Sequence, residues 1–231
     1  MFCERQLAGG ALGAIEHDLE HFRPKSRVRK WPAISSQPRI YFSTGEESPR
    51  GYYWLAYHPL NYGAACKVCN TMLKRDYFPI AGVRAEPTDS FADLRTKEQP
   101  DLIYPIGDAD GDPESLISFI GIVPVPVKKT GPRNRRARVT IAFFDLQKRE
   151  ELRRERSEQL VTLDNAFFKL NHGSIEEQEH TAMDIERLSS SSSRHASCVR
   201  AACKLYSRDV DSARAIFQAV RGFLSSSRRK S

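Results

Sequence analysis

Two cysteines separated by two residues, Cys66 and Cys69, form the most distinct chemical motif of the chain. This spacing is typical of metal ligands, and because the sequence shows no secretion signal, a metal is favoured over a disulfide. Cys3 lies far upstream, whereas Cys198 and Cys203 are interpreted as small buried residues of a helix. The sequence therefore predicts a metal site around the turn that contains Cys66 and Cys69.

A histidine beside a carboxylate supplies a second motif. Glu20 and His21 stand together in the segment Asp-Leu-Glu-His-Phe-Arg-Pro-Lys over residues 18–25, and Trp-Leu-Ala-Tyr-His-Pro-Leu-Asn follows at 54–61. Hydrolysis of a phosphodiester needs a base that deprotonates water and a cation that neutralises charge on the phosphate and the departing oxygen. A histidine next to a metal ligand supplies both within a small turn, so this pair suits metal-dependent hydrolysis.

Three segments stand in order along the chain, at residues 18–25, 54–61 and 66–74, and Phe78-Pro79 follows them. As a set they resemble the HNH endonucleases of the ββα-metal fold. The resemblance is closest to the subgroup with Glu-His-Phe-Arg-Pro-Lys and Cys-x-x-Cys-Asn signatures, which includes Septu-like and retron-linked HNH proteins. It implies an α+β fold with a ββα-metal core, a zinc turn and a mainly helical C-terminal extension.

The resemblance implies catalytic roles for four residues. His21 would be the general base, Asn61 would hold its imidazole in a productive orientation, and Glu20 and Asn70 would ligate a catalytic Mg²⁺ or Mn²⁺. Each residue taken alone also has a structural interpretation. A histidine can be a packing residue, a glutamate a solvated carboxylate, and an asparagine a turn residue or helix cap. The surrounding motif favours the catalytic interpretation.

The resemblance also implies a structural Zn²⁺ bound by two Cys-x-x-Cys pairs. Cys66 and Cys69 form one pair, while Cys3 is the only clear member of the other, so its missing partner would fall immediately before Met1. Three explanations stay open: an upstream start codon that restores the cysteine, a three-cysteine site completed by water or His17, or lost zinc binding. The position of the gap favours the first.

Basic residues exceed acidic ones, with 36 Lys and Arg against 29 Asp and Glu, for a formal net charge of +7. This balance mildly favours a polyanionic partner such as nucleic acid. Arg23, Lys25 and Lys74 could contact phosphates beside the scissile bond, although an ordinary solvated basic face is the alternative. A second basic stretch, residues 128–138, is either a loop that binds a nucleic-acid backbone or a disordered segment.

Four aromatic residues in and just before the second segment, Tyr52, Tyr53, Trp54 and Tyr57, could stack on nucleobases. Aromatic clusters beside a zinc turn are more often part of a core, and the sequence favours that interpretation. Their run of apolar residues is compatible with a helix or a strand, because periodicity over so short a length does not separate the two.

Four segments organise the chain: an HNH nuclease core (1–82), a strand and helix brace (83–170), a polar Ser-rich linker (171–195) and a C-terminal helical segment with a basic tail (196–231). Within the brace, residues 139–144 alternate as in a strand, and Asp145 is predicted to cap a long helix. Apolar positions recur at helical spacing in that helix and in the last segment. These positions are Leu152, Leu160, Leu163, Phe167 and Leu170, then Val199, Ala202, Ile216, Phe217, Val220 and Phe223.

The expected function is that of a metal-dependent HNH endonuclease that hydrolyses phosphodiester bonds in DNA, leaving a 5′-phosphate and a 3′-hydroxyl. A role in anti-phage defence beside an ATPase partner follows only by analogy with the subgroup. Two alternatives remain: an HNH nuclease directed at RNA, and a non-catalytic zinc-containing module that binds nucleic acid. No apolar run approaches the roughly 18 residues that span a bilayer, so a cytoplasmic location without a membrane partner is expected.

Overall fold

The computed structural model describes residues 2–6, 9–32, 42–104 and 110–227. The fold class is α+β, as the sequence predicts, with two small two-stranded sheets among the helices. The chain divides into two compact units. One comprises residues 1–2, 7–116 and 126–144, and the other comprises residues 3–6, 117–125 and 145–231.

The first unit contains a pair of antiparallel strands with helices before and after them. Its elements are α1 (Gly10–Glu16), β1 (His17–His21), β2 (Tyr62–Cys66), a π-helical turn (Val68–Lys74), α2 (Phe91–Glu98) and α3 (Gly131–Phe143). Short 3-10 turns lie at Tyr53–Leu55, Pro59–Asn61 and Pro113–Ser115. The run of aromatic residues that could have been a helix or a strand is therefore a 3-10 turn at its centre, with other turns on either side.

The register of the two strands fixes which residues face each other. In the pairing of β1 with β2, His17 lies opposite Cys66 and His21 lies opposite Tyr62. Because successive side chains of a strand point to opposite faces, Glu20 and His21 belong to different faces of the sheet. The π-helical turn begins two residues after β2 ends. Along the chain, β1 is therefore followed by its partner strand β2, and β2 is followed closely by the π-helical turn.

The predicted strand at residues 139–144 is wrong, since these residues lie in or directly after α3. The helix buries Ala137, Val139, Ile141 and Phe143, so tertiary burial on several sides of the helix outweighs the β-propensity of its branched residues. Pro132 in its first turn is compatible with a helix start. Most of the basic stretch at 128–138 accordingly belongs to this helix and is neither a loop nor disordered.

The second unit is mainly helical. Its elements are β3 (Ile117–Ile120), β4 (Val123–Pro126), α4 (Glu150–His172), α5 (Ile175–Ser189), α6 (Ala196–Arg208) and α7 (Val210–Ser227). Its core is formed by apolar residues of α4, α6 and α7, including Leu160, Leu163, Val199, Phe217 and Val220. These residues stand at the helical spacing that the sequence indicates. Among the described residues, no helix combines the length and apolar character required to cross a membrane.

Two boundaries differ from the sequence-based expectation. The segment predicted as a polar linker contains the last residues of α4 and the whole of α5, which begins with a capping box formed by Ser174 and Glu177. Its polar composition reflects the exposed face of α5, since Ile185 and Leu188 pack against the core. Asp145 has a positive φ of 47° and precedes a helix that begins only at Glu150, so it does not cap α4.

A buried ionic cluster in the second unit supports a prediction about pH. Burial works to raise the pKa of Glu155, but hydrogen bonds from His195 and Arg5 outweigh this effect and lower the pKa to about 2. A carboxylate with a depressed pKa stabilises the fold above its usual value of 4.5 and loses this contribution as the pH falls towards 2. We therefore expect Glu155→Gln to lower the free energy of unfolding at pH 7 by about 3 kcal/mol.

Urea unfolding of both proteins at a series of pH values tests this expectation, because the difference between them should shrink from pH 4.5 towards pH 2. The matched control is Glu158→Gln on the same helix, where the carboxylate is 41% exposed and its loss should change little. A difference for Glu155→Gln that stays constant over this pH range would contradict the assignment.

Candidate active site

The sulfur atoms of three cysteines lie close together. The Sγ atoms of Cys3, Cys66 and Cys69 are all within 4.8 Å of one another, and the three side chains are buried. Cys66 ends β2 and Cys69 belongs to the π-helical turn, where its backbone N–H donates to the Cys66 Sγ at 3.4 Å. All five cysteines of the chain are described, and none forms a disulfide.

This group of thiols fits a zinc ion. Zn²⁺ binds thiolates at about 2.3 Å in a tetrahedral arrangement, which separates neighbouring sulfurs by about 3.8 Å. Small shifts of the three sulfurs would reach that spacing from the arrangement in the structure. Within the described part of the chain, no other Cys, His, Asp or Glu joins the group. The three cysteines can therefore bind a metal such as zinc. His17 is predicted as one way to complete a three-cysteine site, and its side chain lies outside the described part of the structure.

We expect purified protein to contain zinc that depends on these cysteines. Cys69→Ser should abolish the bound zinc measured by atomic emission, because a hydroxyl is a poor replacement for a thiolate ligand. Removal of zinc with a chelator should lower the melting temperature of the wild-type protein but not that of Cys69→Ser. Cys203→Ser serves as the control, since this half-buried cysteine lies outside the group and should leave the zinc content unchanged. Equal zinc in both variants would contradict the site.

The imidazole of His21 lies at the end of β1 and is half-buried. Its Nε2 lies 3.0 Å from the carbonyl oxygen of Ala56, and the ring of Tyr62 meets it edge-on at 5.0 Å. A carbonyl oxygen can only accept a hydrogen bond, so Nε2 must carry the hydrogen. The neutral ring then has its lone pair on Nδ1, which is the nitrogen that can accept a proton.

Asn61 is fully buried, and its side chain hydrogen-bonds backbone groups of Arg23 and Leu55. Its Oδ1 accepts from the N–H of Arg23 at 2.8 Å, while its Nδ2 donates to the carbonyl oxygens of Arg23 at 3.0 Å and Leu55 at 3.2 Å. These bonds hold the chain that follows β1 against the turn that carries Ala56. Among the described hydrogen bonds, none joins Asn61 to the His21 ring, so Asn61 acts on the position of His21 through the backbone.

The carboxylate of Glu20 is engaged by a lysine. Glu20 is 6% exposed, and the fully buried Lys74 forms an ion pair with it. Lys74 Nζ also donates to the backbone oxygen of His21 at 2.9 Å. Burial lowers the pKa of Lys74, and the neighbouring Glu20 offsets part of that shift. The ammonium thus occupies the position beside Glu20 where the sequence predicts a metal ion.

Asn70 contacts the carboxylate of Asp18, a residue for which the sequence predicts no role. Its Nδ2 donates to Asp18 Oδ2 at 3.1 Å, and the Thr71 hydroxyl donates to the same oxygen at 3.1 Å. Lys67 Nζ lies 3.8 Å from the other oxygen of Asp18. Asp18 and Glu20 are two residues apart on β1 and therefore share one face of the strand. This two-residue spacing from Glu20 is the sequence signal that would have identified Asp18 as a further candidate metal ligand.

Of the three basic residues predicted to contact phosphates, only Lys25 is exposed. Arg23 is buried and forms an ion pair with the fully buried Glu98, at 2.7 Å between Nε and Oε2. Lys74 is likewise buried with Glu20. Because breaking a buried ion pair costs about 3–5 kcal/mol, contact of Arg23 or Lys74 with a phosphate is unfavourable in this arrangement.

Comparison of the chain with protein-family models, with curated proteins and with solved structures found no match. The fold and the buried group of three cysteines are established by the described residues themselves. The function must accordingly be argued from the side chains of the site and their chemistry.

Proposed function

We propose that the chain is a metal-dependent HNH endonuclease that hydrolyses phosphodiester bonds, with DNA favoured as the substrate. The observation that carries the proposal is the hydrogen bond from His21 Nε2 to the Ala56 oxygen, which leaves Nδ1 as a base. The order of β1, β2 and the π-helical turn is also the order expected of a ββα-metal core. A role in anti-phage defence with an ATPase partner extends the proposal by analogy.

His21 would perform the proton transfer of the reaction. Its Nδ1 accepts a proton from water as the water oxygen forms a bond to phosphorus. The bond between phosphorus and the 3′ oxygen then breaks, and the departing oxygen takes a proton from solvent, which leaves a 5′-phosphate and a 3′-hydroxyl. The carbonyl of Ala56 keeps the ring oriented during this step, and Asn61 fixes the backbone around it.

A divalent cation such as Mg²⁺ or Mn²⁺ would neutralise the charge that develops on the phosphate. Oxygen ligands suit these ions, and Glu20, Asn70 and the neighbouring Asp18 bring such atoms to one face of β1 and to the π-helical turn. Asp18 and Asn70 are partly exposed and hydrogen-bonded to each other, so their oxygen atoms lie close together within reach of a cation from solvent. Glu20 fits only after Lys74 releases its carboxylate.

A second candidate function is a non-catalytic zinc-containing module that binds nucleic acid. The buried ion pair between Glu20 and Lys74 favours it, because this pair satisfies the carboxylate without a metal. The position of His21 favours the nuclease, since binding alone requires no imidazole whose Nε2 is hydrogen-bonded so that Nδ1 carries the lone pair. RNA remains the alternative polymer for the nuclease.

Replacement of the proposed base tests the nuclease. We expect His21→Ala to lower the rate of DNA cleavage by about two to four powers of ten, because the attacking water then lacks its base. The assay incubates supercoiled DNA, single-stranded DNA and tRNA with Mg²⁺, Mn²⁺ or EDTA. Circular dichroism checks that the variant is folded, and His180→Ala, at an exposed histidine of α5, is the matched control. Unchanged cleavage by His21→Ala would exclude this mechanism.

A second variant tests whether Glu20 can be a metal ligand. Lys74→Met leaves the buried carboxylate of Glu20 without its partner, so the free energy of unfolding should fall by about 3–5 kcal/mol. If Glu20 ligates the catalytic cation, Mn²⁺ should raise the melting temperature of Lys74→Met more than that of the wild type. The double variant Glu20→Gln/Lys74→Met should lose this response. Equal responses of Lys74→Met and wild type would remove Glu20 from the ligand set.

A further inference from the structure

Two tyrosines, one in the 3-10 turn at Tyr53–Leu55 and one just after it, point into solvent. Tyr57 is 90% exposed and Tyr53 is 50% exposed, whereas Tyr52 is buried in the core. The expectation that this cluster belongs to the core therefore holds for Tyr52 and is wrong for Tyr53 and Tyr57. Covering a large aromatic ring lowers the free energy of the system. The two exposed rings therefore form a surface on which a planar apolar group can stack.

This surface lies beside the proposed base. The Ala56 oxygen accepts hydrogen bonds from His21 Nε2 at 3.0 Å and from the Tyr62 hydroxyl at 2.6 Å, and Tyr57 is the next residue along the chain. Leu19 is 69% exposed and lies two residues before His21, on the same face of β1. The imidazole is thus flanked by exposed apolar side chains on both of the segments that hold it.

Two cations adjoin the tyrosines. The backbone N–H of Tyr52 donates to the Pro24 oxygen at 2.8 Å, so Tyr53 and Lys25 each lie one residue beyond this bond. Gly51 packs so tightly on the same segment that an added Cβ would lie 2.6 Å from the Pro24 oxygen, and Arg50 immediately precedes it.

Both cations are available to a ligand. Lys25 and Arg50 are exposed, and within the described ranges neither forms an ion pair. The surface therefore combines two positive charges with two exposed aromatic rings along a few residues of chain.

We propose that the surface formed by Lys25, Arg50, Tyr53 and Tyr57 binds a single-stranded nucleic-acid segment and leads it to His21. The tyrosines would stack on its bases, and the two cations would contact its phosphates. A duplex does not suit this surface, because neighbouring base pairs already cover the faces of its bases. This inference rests on the proposed nuclease function for its choice of polymer, and it specifies an unpaired strand as the substrate.

Binding measured without catalysis tests the inference. The probes are a fluorescein-labelled oligothymidylate, an oligouridylate and a DNA duplex of equal length, titrated with the full chain in EDTA and followed by fluorescence anisotropy. We expect Tyr57→Ala to weaken the affinity for oligothymidylate about tenfold and to change duplex affinity little. Tyr57→Phe should keep the affinity, because the ring face remains. The matched control is Phe168→Ala, which removes a 67% exposed ring from α4 and should have no effect.

Three results would overturn the inference: equal affinity of wild type and Tyr57→Ala for the single strands, tighter binding of the duplex than of either strand, or an equal loss in Tyr57→Phe. The same Tyr57 dependence with oligouridylate supports the surface and identifies RNA as a source of the strand. The nuclease proposal fails separately, through unchanged cleavage by His21→Ala, because the binding assay in EDTA does not require hydrolysis.

Discussion

The ion pair between Lys74 and Glu20 is the interaction on which the site depends most. It joins the first strand to the π-helical turn, and the same ammonium binds the backbone oxygen of His21. Two charges removed from water are costly unless they are paired and hydrogen-bonded, so each partner requires the other to remain in place. The pair therefore fixes the end of β1 relative to the turn that carries Cys69 and Asn70, and any cation that approaches Glu20 must compete with Lys74.

A second constraint acts on the chain just after β1. The buried Asn61 side chain hydrogen-bonds three backbone groups, and it thereby ties the chain after His21 to the turn before Ala56. The Nε2 atom of His21 then lies within hydrogen-bonding distance of the Ala56 oxygen. The end of β1 and the residues after it are thus held by the Lys74 ammonium and by the Asn61 amide. Among the described hydrogen bonds, Asn61 acts on the position of the His21 ring through these backbone groups.

Local patterns predicted several features correctly because the causes lie within a few residues. The spacing of Cys66 and Cys69 brings two thiols together in one turn, and the apolar spacing of Leu160 and Leu163 indicates a helix with a buried face. Local patterns predicted the wrong structure where packing against distant residues determines the secondary structure. Residues 139–144 alternate like a strand but are buried in α3, and the polar residues before Ser189 form the outer face of α5.

The sequence by itself determined the adjacency of Glu20 and His21, the spacing of the cysteine pair and the excess of positive charge, because these depend only on covalent order and composition. Only the tertiary structure decided the partners. It placed Lys74 on Glu20, so a residue predicted to contact a phosphate is part of a buried ion pair. It also left Tyr57 in solvent beside the imidazole. Burial and charge pairing arise between residues distant in sequence, so no local pattern specifies them.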